Sequence, residues 1–361
     1  MKSRVDCGVV FLVGFSLMLT ACGGGSPAPV AIAYVSHSQS HSMSVINIPA
    51  DKAVATVEIG TSSYGSPTTT PSYPDGVAVA PDGSRAYVTD QNAFVWVVDT
   101  KSNSVIAKIA SGIDPEEIAI TPDGKTAYVT AITCGLLLCT GPGNPTELAS
   151  VEVIDTGTNS LISTMTFGSA AEALLSGIAI SPDGSRAYAA DAMGNKIWVI
   201  DTATNSIKAT VSTASSGFSD VSVSPDGMSV YALGWTNGPV NDSFFIDVVN
   251  TQTDTVTASI PLGNTEPPTK MALSPDGGHA YVTGQTGDLW VVDTMKKAVV
   301  ASVPISYPNP LFAVAVTPDG ARAYITCGNN NKIYVLDTTT NRVVGAVPSD
   351  YPAGLAITPA R

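Results

Sequence analysis

The sequence predicts an all-β domain of seven four-stranded units closed into a ring. Three observations lead there. The stretch Ala80-Pro-Asp-Gly-Ser-Arg-Ala-Tyr-Val-Thr89 is rewritten along the chain, so that its tyrosine recurs as Tyr34, Tyr87, Tyr128, Tyr188, Tyr231, Tyr281 and Tyr324. The spacings run from 41 to 60 residues. A β-rich repeat of about 40–45 residues, lengthened at some loops by insertions, marks a β-propeller. Composition agrees: 13% of residues are charged, against 32 Gly and 25 Pro, and many turn formers with few charges favour strands over helices. The third observation is that both ends are incomplete. The first repeat starts at a second strand, Ala31-Ile-Ala-Tyr-Val35, and the last stops after a first strand, 354–359. Strand 354–359 is therefore expected to join strands 31–59 in one seventh blade, which removes the open edges of an arc.

Each repeat opens on an apolar run with a small residue between two large ones. Val77-Ala-Val79, Ile118-Ala-Ile120, Ile178-Ala-Ile180, Val221-Ser-Val223, Met271-Ala-Leu273, Val314-Ala-Val316 and Leu355-Ala-Ile357 all follow it. Alternate side chains leave opposite faces of a strand. The large pair fills one layer between blades, and the small residue lets the neighbour on the other face come close. Pro-Asp-Gly follows at 81–83, 122–124, 182–184, 225–227, 275–277 and 318–320. Proline presets φ, aspartate bonds the backbone ahead of it and glycine accepts positive φ, so this is a hairpin turn and its aspartate is structural. The second strand carries Ala-Tyr-Val or a near variant. The third ends in Asp-Thr, as in Val97-Val-Asp-Thr100 and Val335-Leu-Asp-Thr338, with Asn250 and Asn47 replacing the aspartate in two repeats. An Asx turn then leads to a fourth strand such as Ser104–Ile109 or Arg342–Val347.

PDGxxAYVT followed by a VxVxDT strand resembles the YVTN family of seven-bladed propeller repeats. The likeness covers residues 31–361, recurs in register, and is specific for fold and weak for activity, since such propellers serve many tasks. A WD40 ring does not fit: Trp96, Trp198 and Trp290 are each followed by Val.

The N-terminus bears on the compartment. Met1–Arg4 is a short basic region and Gly8–Leu19 an apolar run too short to span a bilayer comfortably. It ends in Leu19-Thr20-Ala21-Cys22, then Gly-Gly-Gly-Ser-Pro-Ala-Pro. Leu-Thr-Ala-Cys resembles a bacterial lipobox. The resemblance implies a signal peptide over 1–21, lipid on Cys22, a flexible tether over 22–30 and a propeller over 31–361. It places the protein in the cell envelope. Gly23 after the cysteine implies the outer membrane in a Gram-negative cell, facing the periplasm or the surface. Cys134 and Cys139, in Cys-Gly-Leu-Leu-Leu-Cys, are then candidates for a local disulfide in an oxidising compartment, with Cys327 left as a buried thiol. A net charge of −13 with no basic run excludes nucleic acid as a partner.

Chemistry is expected on the face that carries the blade-connecting loops. The residues just before the first strands are Gly76, Glu117, Gly177, Asp220, Lys270, Ala313 and Gly354, and on this register they approach the channel opening. Asp114, Glu116, Glu117, Glu172, Asp220 and Glu266 form a candidate acidic rim suited to a cation, a basic peptide or a polyol. Trp235, in the insertion 234–244, is a candidate contact residue or a packing residue over the blade top. A second insertion, 131–150, lies on the same face. A divalent metal would need several oxygens converging on one point. The propeller lactonases bind a metal through acid and Asn ligands, which keeps such a site as a lesser expectation; no other cofactor is expected. His37 and His41 lie in the polar run 36–42, which could bind a metal weakly, and are expected to be solvent-exposed loop residues, while His279 takes the place of the motif arginine. No haem-attachment motif, nucleophile elbow or phosphate loop occurs.

Two functions compete. The first is a lipid-anchored, non-enzymatic binding or scaffold module that presents its loop face to an envelope partner or a small cationic or polyol ligand. The second is a propeller enzyme or subunit, either a metal-dependent lactonase-like hydrolase or the large subunit of a quinone-dependent dehydrogenase.

Overall fold

A computed structural model describes residues 31–60, 74–134, 147–169, 173–237, 242–263 and 266–359. Cys22 and Glu172 lie outside them, as do Cys139 and the side chain of Cys134, and with these the proposed disulfide.

The chain forms a seven-bladed β-propeller of antiparallel four-stranded sheets. Blade 1 holds β1 (Ile32–His37), β2 (Ser42–Asn47) and β3 (Lys52–Glu58). Blade 2 is β4 (Pro74–Val79), β5 (Arg85–Asp90), β6 (Phe94–Asp99) and β7 (Ser104–Ala110). Blade 3 is β8 (Ile118–Ile120), β9 (Thr126–Cys134), β10 (Glu147–Asp155) and β11 (Ser160–Ser169). Blade 4 is β12 (Leu175–Ile180), β13 (Arg186–Asp191), β14 (Lys196–Asp201) and β15 (Ser206–Ser212). Blade 5 is β16 (Gly217–Val223), β17 (Ser229–Thr236), β18 (Ser243–Asn250) and β19 (Thr255–Gly263). Blade 6 is β20 (Pro268–Leu273), β21 (His279–Gly284), β22 (Asp288–Asp293) and β23 (Ala298–Pro304). Blade 7 is β24 (Val314–Val316), β25 (Arg322–Cys327), β26 (Lys332–Asp337) and β27 (Arg342–Pro348). The last strand, β28 (Pro352–Ile357), returns to blade 1 and pairs with β1 through Ala33–Ile357, Tyr34–Ala356 and Val35–Leu355. The ring is closed as the incomplete ends require.

The large-small-large pattern works as expected. Val77 and Val79 pack into blade 1 with Met43, Val45 and Ile59, while Ala78 between them faces Ile118 and Ile120 of blade 3. Seven apolar clusters form in this way, one at each boundary between adjacent blades.

The repeated motif is a turn plus a clamp. Gly124 N–H bonds Thr121 O at 2.8 Å, and Asp123 Oδ1 accepts from Lys125 N–H at 3.0 Å. The same geometry recurs at Asp183, Asp226, Asp276 and Asp319. The residues beyond the turn grip the next blade. Tyr128 OH donates to Asn205 Oδ1 of blade 4 at 2.6 Å, and Arg186 Nη1 meets Asp254 of blade 5 at 3.2 Å. At the seam, Arg322 and Tyr324 of blade 7 both bind Asp51 of blade 1.

The two insertions are partly strand. Residues 131–134 pair with 147–150, and Trp235 and Thr236 pair with Phe244 and Ser243, so β9–β10 and β17–β18 are lengthened hairpins. His37 departs from its expected exposure. It is 3% exposed, with Nδ1 3.0 Å from Ser42 Oγ and Nε2 2.9 Å from Ser349 Oγ. The polar run that suggested a loop includes the end of β1, whose side chains are enclosed by blade 7 and the approach to β28.

Candidate functional site: the channel mouth

The seven innermost strands surround the axis, and the residues just before six of their large-small-large runs line one cavity there. Gly76, Ala313 and Gly354 leave space there, and Glu117, Asp220 and Lys270 fill it; these six line a cavity of about 130 Å³. The small residues are required by close approach. A Cβ on Gly354 would collide with Asp75 O, and one on Gly76 with Glu116 O. The backbone there is already committed: Gly76 N–H bonds Thr89 Oγ1 at 2.8 Å, and Thr89 Oγ1 donates to Glu116 O at 2.7 Å.

Lys270 lies at the centre. From blade 6 its ammonium crosses the channel to an ion pair with Glu117 of blade 3, and donates to Ser176 O of blade 4 at 3.3 Å. The two paired side chains are 26% and 27% exposed, and both line the channel cavity. Burial pulls the Lys270 pKa down. The fields of Glu117, Asp220 and Asp75 outweigh it and hold the pKa above the ordinary lysine value, so the ammonium is a fixed charge.

The surrounding acids respond to the opposite balance. Burial raises Asp220 to about 6 against the pull of Lys270, while its Oδ2 accepts from Met271 N–H at 2.8 Å. Burial raises Glu116 to about 7, with Lys270 opposing and Asp75, Asp114 and Glu117 reinforcing. Asp75 rises to about 6 through burial and the field of Glu117. Burial also raises Asp114, whose backbone is held at φ 51°. Among the described residues, five carboxylates thus share one region with one ammonium, and burial raises three of them to about 6–7.

Of the residues expected on the rim, Asp114, Glu116, Glu117 and Asp220 belong to this group. Glu266 is not in the cavity lining; it is 3% exposed and its Oε2 accepts from both Thr286 N–H and Thr286 Oγ1, bracing a turn of blade 6. Trp235 sits half-buried on β17, packed beside the cluster of Leu233, Phe244 and Leu262. One member, Asp75, was missed, and another, Lys270, was placed at the opening without a role. Asp75 reads in sequence as one more turn aspartate in Tyr-Pro-Asp-Gly. Lys270 was visible as the single cation among seven pre-strand positions, and its central role follows once the ring is closed.

Among the described residues, no three His, Cys, Asp or Glu side chains are grouped so that they could hold a metal ion. The ammonium of Lys270 pairs with Glu117 and exerts its field on Asp220.

Comparison with known proteins places these features in context. The family model described as SMP-30/gluconolactonase/LRE-like region matches residues 170–286, about a third of the chain, including Asp220 and Lys270. No curated protein matches. Hydrazine synthase of Kuenenia stuttgartiensis superposes with a TM-score of 0.67 at 24% identity, over 80% of this chain and 90% of that one. The dihydro-heme d1 dehydrogenase NirN gives 0.60 at 16% identity, over 90% and 74%. A functionally unknown protein from Desulfotomaculum acetoxidans gives 0.69 at 18% identity, over 91% and 99%. At these identities the likeness is one of fold.

Proposed function

We propose that the protein is a non-enzymatic binding module of the YVTN type, held in the cell envelope by lipid on Cys22. Its acidic channel mouth would be presented to a partner bearing a cationic group. The observation that carries this reading is the imbalance at the mouth. Among the described residues, Asp75, Asp114, Glu116, Glu117 and Asp220 share the mouth with a single ammonium. An added ammonium or guanidinium would relieve the mutual repulsion that helps hold Glu116 at about 7. Because the acids are dispersed, an extended basic group such as a lysine or arginine side chain of a peptide suits them better than a bare ion. The test is fluorescence polarisation with a labelled oligolysine peptide. Binding should weaken about tenfold or more in the double variant Asp114→Asn, Glu116→Gln, and should weaken with salt. Equal affinity for parent and variant defeats the reading.

A second reading is a hydrolase, favoured by the family match over 170–286 and by a carboxyl near pH 7 beside a cavity, as a general base requires. It predicts turnover of a simple lactone that falls with Glu116→Gln and persists in chelator. No turnover across a panel of γ- and δ-lactones would remove it.

A further inference from the structure

The acids gathered at the mouth belong to blades 2 and 5 and to the approach to blade 3. The sector running from blade 6 through blade 7 to blade 1 is furnished differently. Three segments meet there, all of them among the described residues: 305–312 between β23 and β24, 328–331 between β25 and β26, and 349–354 at the start of β28. Together they hold three aromatic residues and four asparagines, with Asp350 as their single charge and no Lys or Arg.

Side-chain contacts join the segments into one surface. Asn330 Nδ2 donates to Ser306 Oγ at 2.7 Å, which fixes the first segment to the second. Tyr351 N–H donates to Asn331 Oδ1 at 2.9 Å, and Tyr351 OH to Asn329 Oδ1 at 2.9 Å. The Phe312 and Tyr351 rings lie 6.1 Å apart between centroids and are tilted by 38°. Gly328 lies against both: a Cβ there would stand 2.6 Å from Phe312 Cε2 and 3.1 Å from Tyr351 Cδ1. These contacts hold Tyr351 at φ 42°, a conformation that costs a bulky residue free energy and persists only where its surroundings impose it. Both rings are partly exposed, and Tyr307, next to Ser306, is 76% exposed. Ala313 and Gly354 line the channel cavity and follow Phe312 by one residue and Tyr351 by three. The aromatic surface therefore borders the acidic one.

Elsewhere the chain covers partly exposed aromatic faces with its own cations. Lys108 Nζ lies 3.4 Å from the Phe94 ring centroid and 4.7 Å from that of Trp96, and Lys196 Nζ lies 5.2 Å from that of Trp198. Among the described residues, no Lys or Arg is so placed over Tyr307, Phe312 or Tyr351. We propose that the Phe312–Tyr351 surface receives the guanidinium of an arginine in a partner peptide, so that the mouth prefers arginine to lysine. This rests on the reading of the mouth as a site for a cationic group. The charges are complementary: Asp350 adjoins Tyr351 in sequence, and Asp75 O lies against Gly354. A guanidinium is planar, stacks on aromatic faces and donates in several directions at once, whereas an ammonium is compact and strongly hydrated. The Tyr351 hydroxyl and the Asn329 side-chain carbonyl offer acceptors at the ring edge.

Hexa-arginine and hexalysine, each fluorescently labelled, carry the same charge, so the rings show in the ratio of their affinities. By fluorescence polarisation the full chain should bind hexa-arginine about fivefold tighter or more. That ratio should fall about threefold in Tyr351→Asn, whose asparagine suits the positive φ, and about threefold in Phe312→Leu, with hexalysine binding little changed. A ratio retained in both variants would come from carboxylate pairing alone and overturns the proposal. Hexalysine weakened as much as hexa-arginine overturns it too, because the rings would then only shape the mouth. Equal affinity of the parent for the two peptides defeats the arginine preference and leaves the cationic reading standing. Binding of neither peptide defeats both.

Discussion

Lys270 and Glu117, 153 positions apart in sequence, form an ion pair across the channel and so tie blade 6 to blade 3. Apart from the bond from the same ammonium to Ser176 O of blade 4, the other links between blades described above run from one blade to its neighbour. This one crosses the ring, and it sits among carboxylates whose proton affinities burial has raised.

Removing the ammonium should therefore cost more than an exposed ion pair would. Lys270→Met leaves Glu117 and Asp220 facing each other in a confined space with no counter-charge. Breaking one partner of a buried pair costs about 3–5 kcal/mol, and water in the channel reduces this to about 2–3 kcal/mol at neutral pH. Denaturant unfolding should show the loss. It should shrink by at least half in the double variant Lys270→Met, Glu117→Gln, which removes both charges. A loss equal in the two variants would mean that packing, and not charge, is what Lys270 supplies.

The raised acids set a pH dependence with a definite sign. Asp75, Asp220 and Glu116 hold protons more tightly when folded, at about 6, 6 and 7, than the 3.8 and 4.5 of their ordinary values. Their contribution to stability is fully present below the ordinary values and is lost as pH rises through the folded ones. Glu116→Gln should remove part of that slope between pH 4.5 and 7, and should make the protein more stable than the parent at pH 8 by about 1–2 kcal/mol. Thermal melts at pH 5, 6, 7 and 8 decide it; parallel curves for parent and variant would show that Glu116 does not titrate in this window.

The ring was legible in the sequence because its determinants are local and repeated. The turn at Pro122-Asp-Gly, the clamp from Tyr128 and the small residue of Ile118-Ala-Ile120 each act within one blade or on the next. The pre-strand register also placed Glu117, Asp220 and Lys270 near one opening. What sequence did not give was side-chain reach. Whether Lys270 turns out to solvent or crosses to blade 3 depends on the space left by Gly76, Ala313 and Gly354. Glu266 was expected on the rim because its loop is; a bond to Thr286 within the same blade holds it inside. Trp235 and His37 were read from polar surroundings, and strand pairing places both against apolar or enclosed neighbours.

His37 gives a dependence of the opposite sign. Burial lowers its pKa below 6.5, with Asp350 opposing. The unfolded chain therefore binds the proton more readily, so stability is full above pH 6.5 and falls as pH drops toward the folded value. The imidazole joins β1 to Ser349 just before β28, so the loss falls on the seam. His37→Gln, which does not titrate, should melt below the parent at pH 8 because the hydrogen bonds are poorer, and should close that gap or overtake the parent by pH 5. A gap that stays constant from pH 8 to pH 5 would show that His37 binds its proton as readily in the folded ring as in the unfolded chain.

Closure itself can be tested at the other partner of the same seam. β28 supplies the innermost strand of blade 1: it pairs with β1, its Leu355 and Ile357 pack with Ala33, Val35 and Ile333, and Thr358 Oγ1 accepts from Ile32 N–H at 3.0 Å. Deleting residues 353–361 would bare the inner edge of β1, open the apolar layer between blades 7 and 1 and remove the backbone that Ser36 and Thr326 bind. Each blade buries its faces only against its neighbours, so a ring opened at one place exposes two apolar faces at once. The truncated chain should show no cooperative thermal transition by circular dichroism, and should bind a hydrophobic dye where the full chain does not. The point variant Gly354→Val tests the same seam with the strand retained. Its side chain would meet Asp75 O and Ser36 Oγ, and it should lower the midpoint markedly without abolishing cooperativity. A truncation that melts at the temperature of the full chain would show that the seven-fold ring does not depend on the strand that closes it.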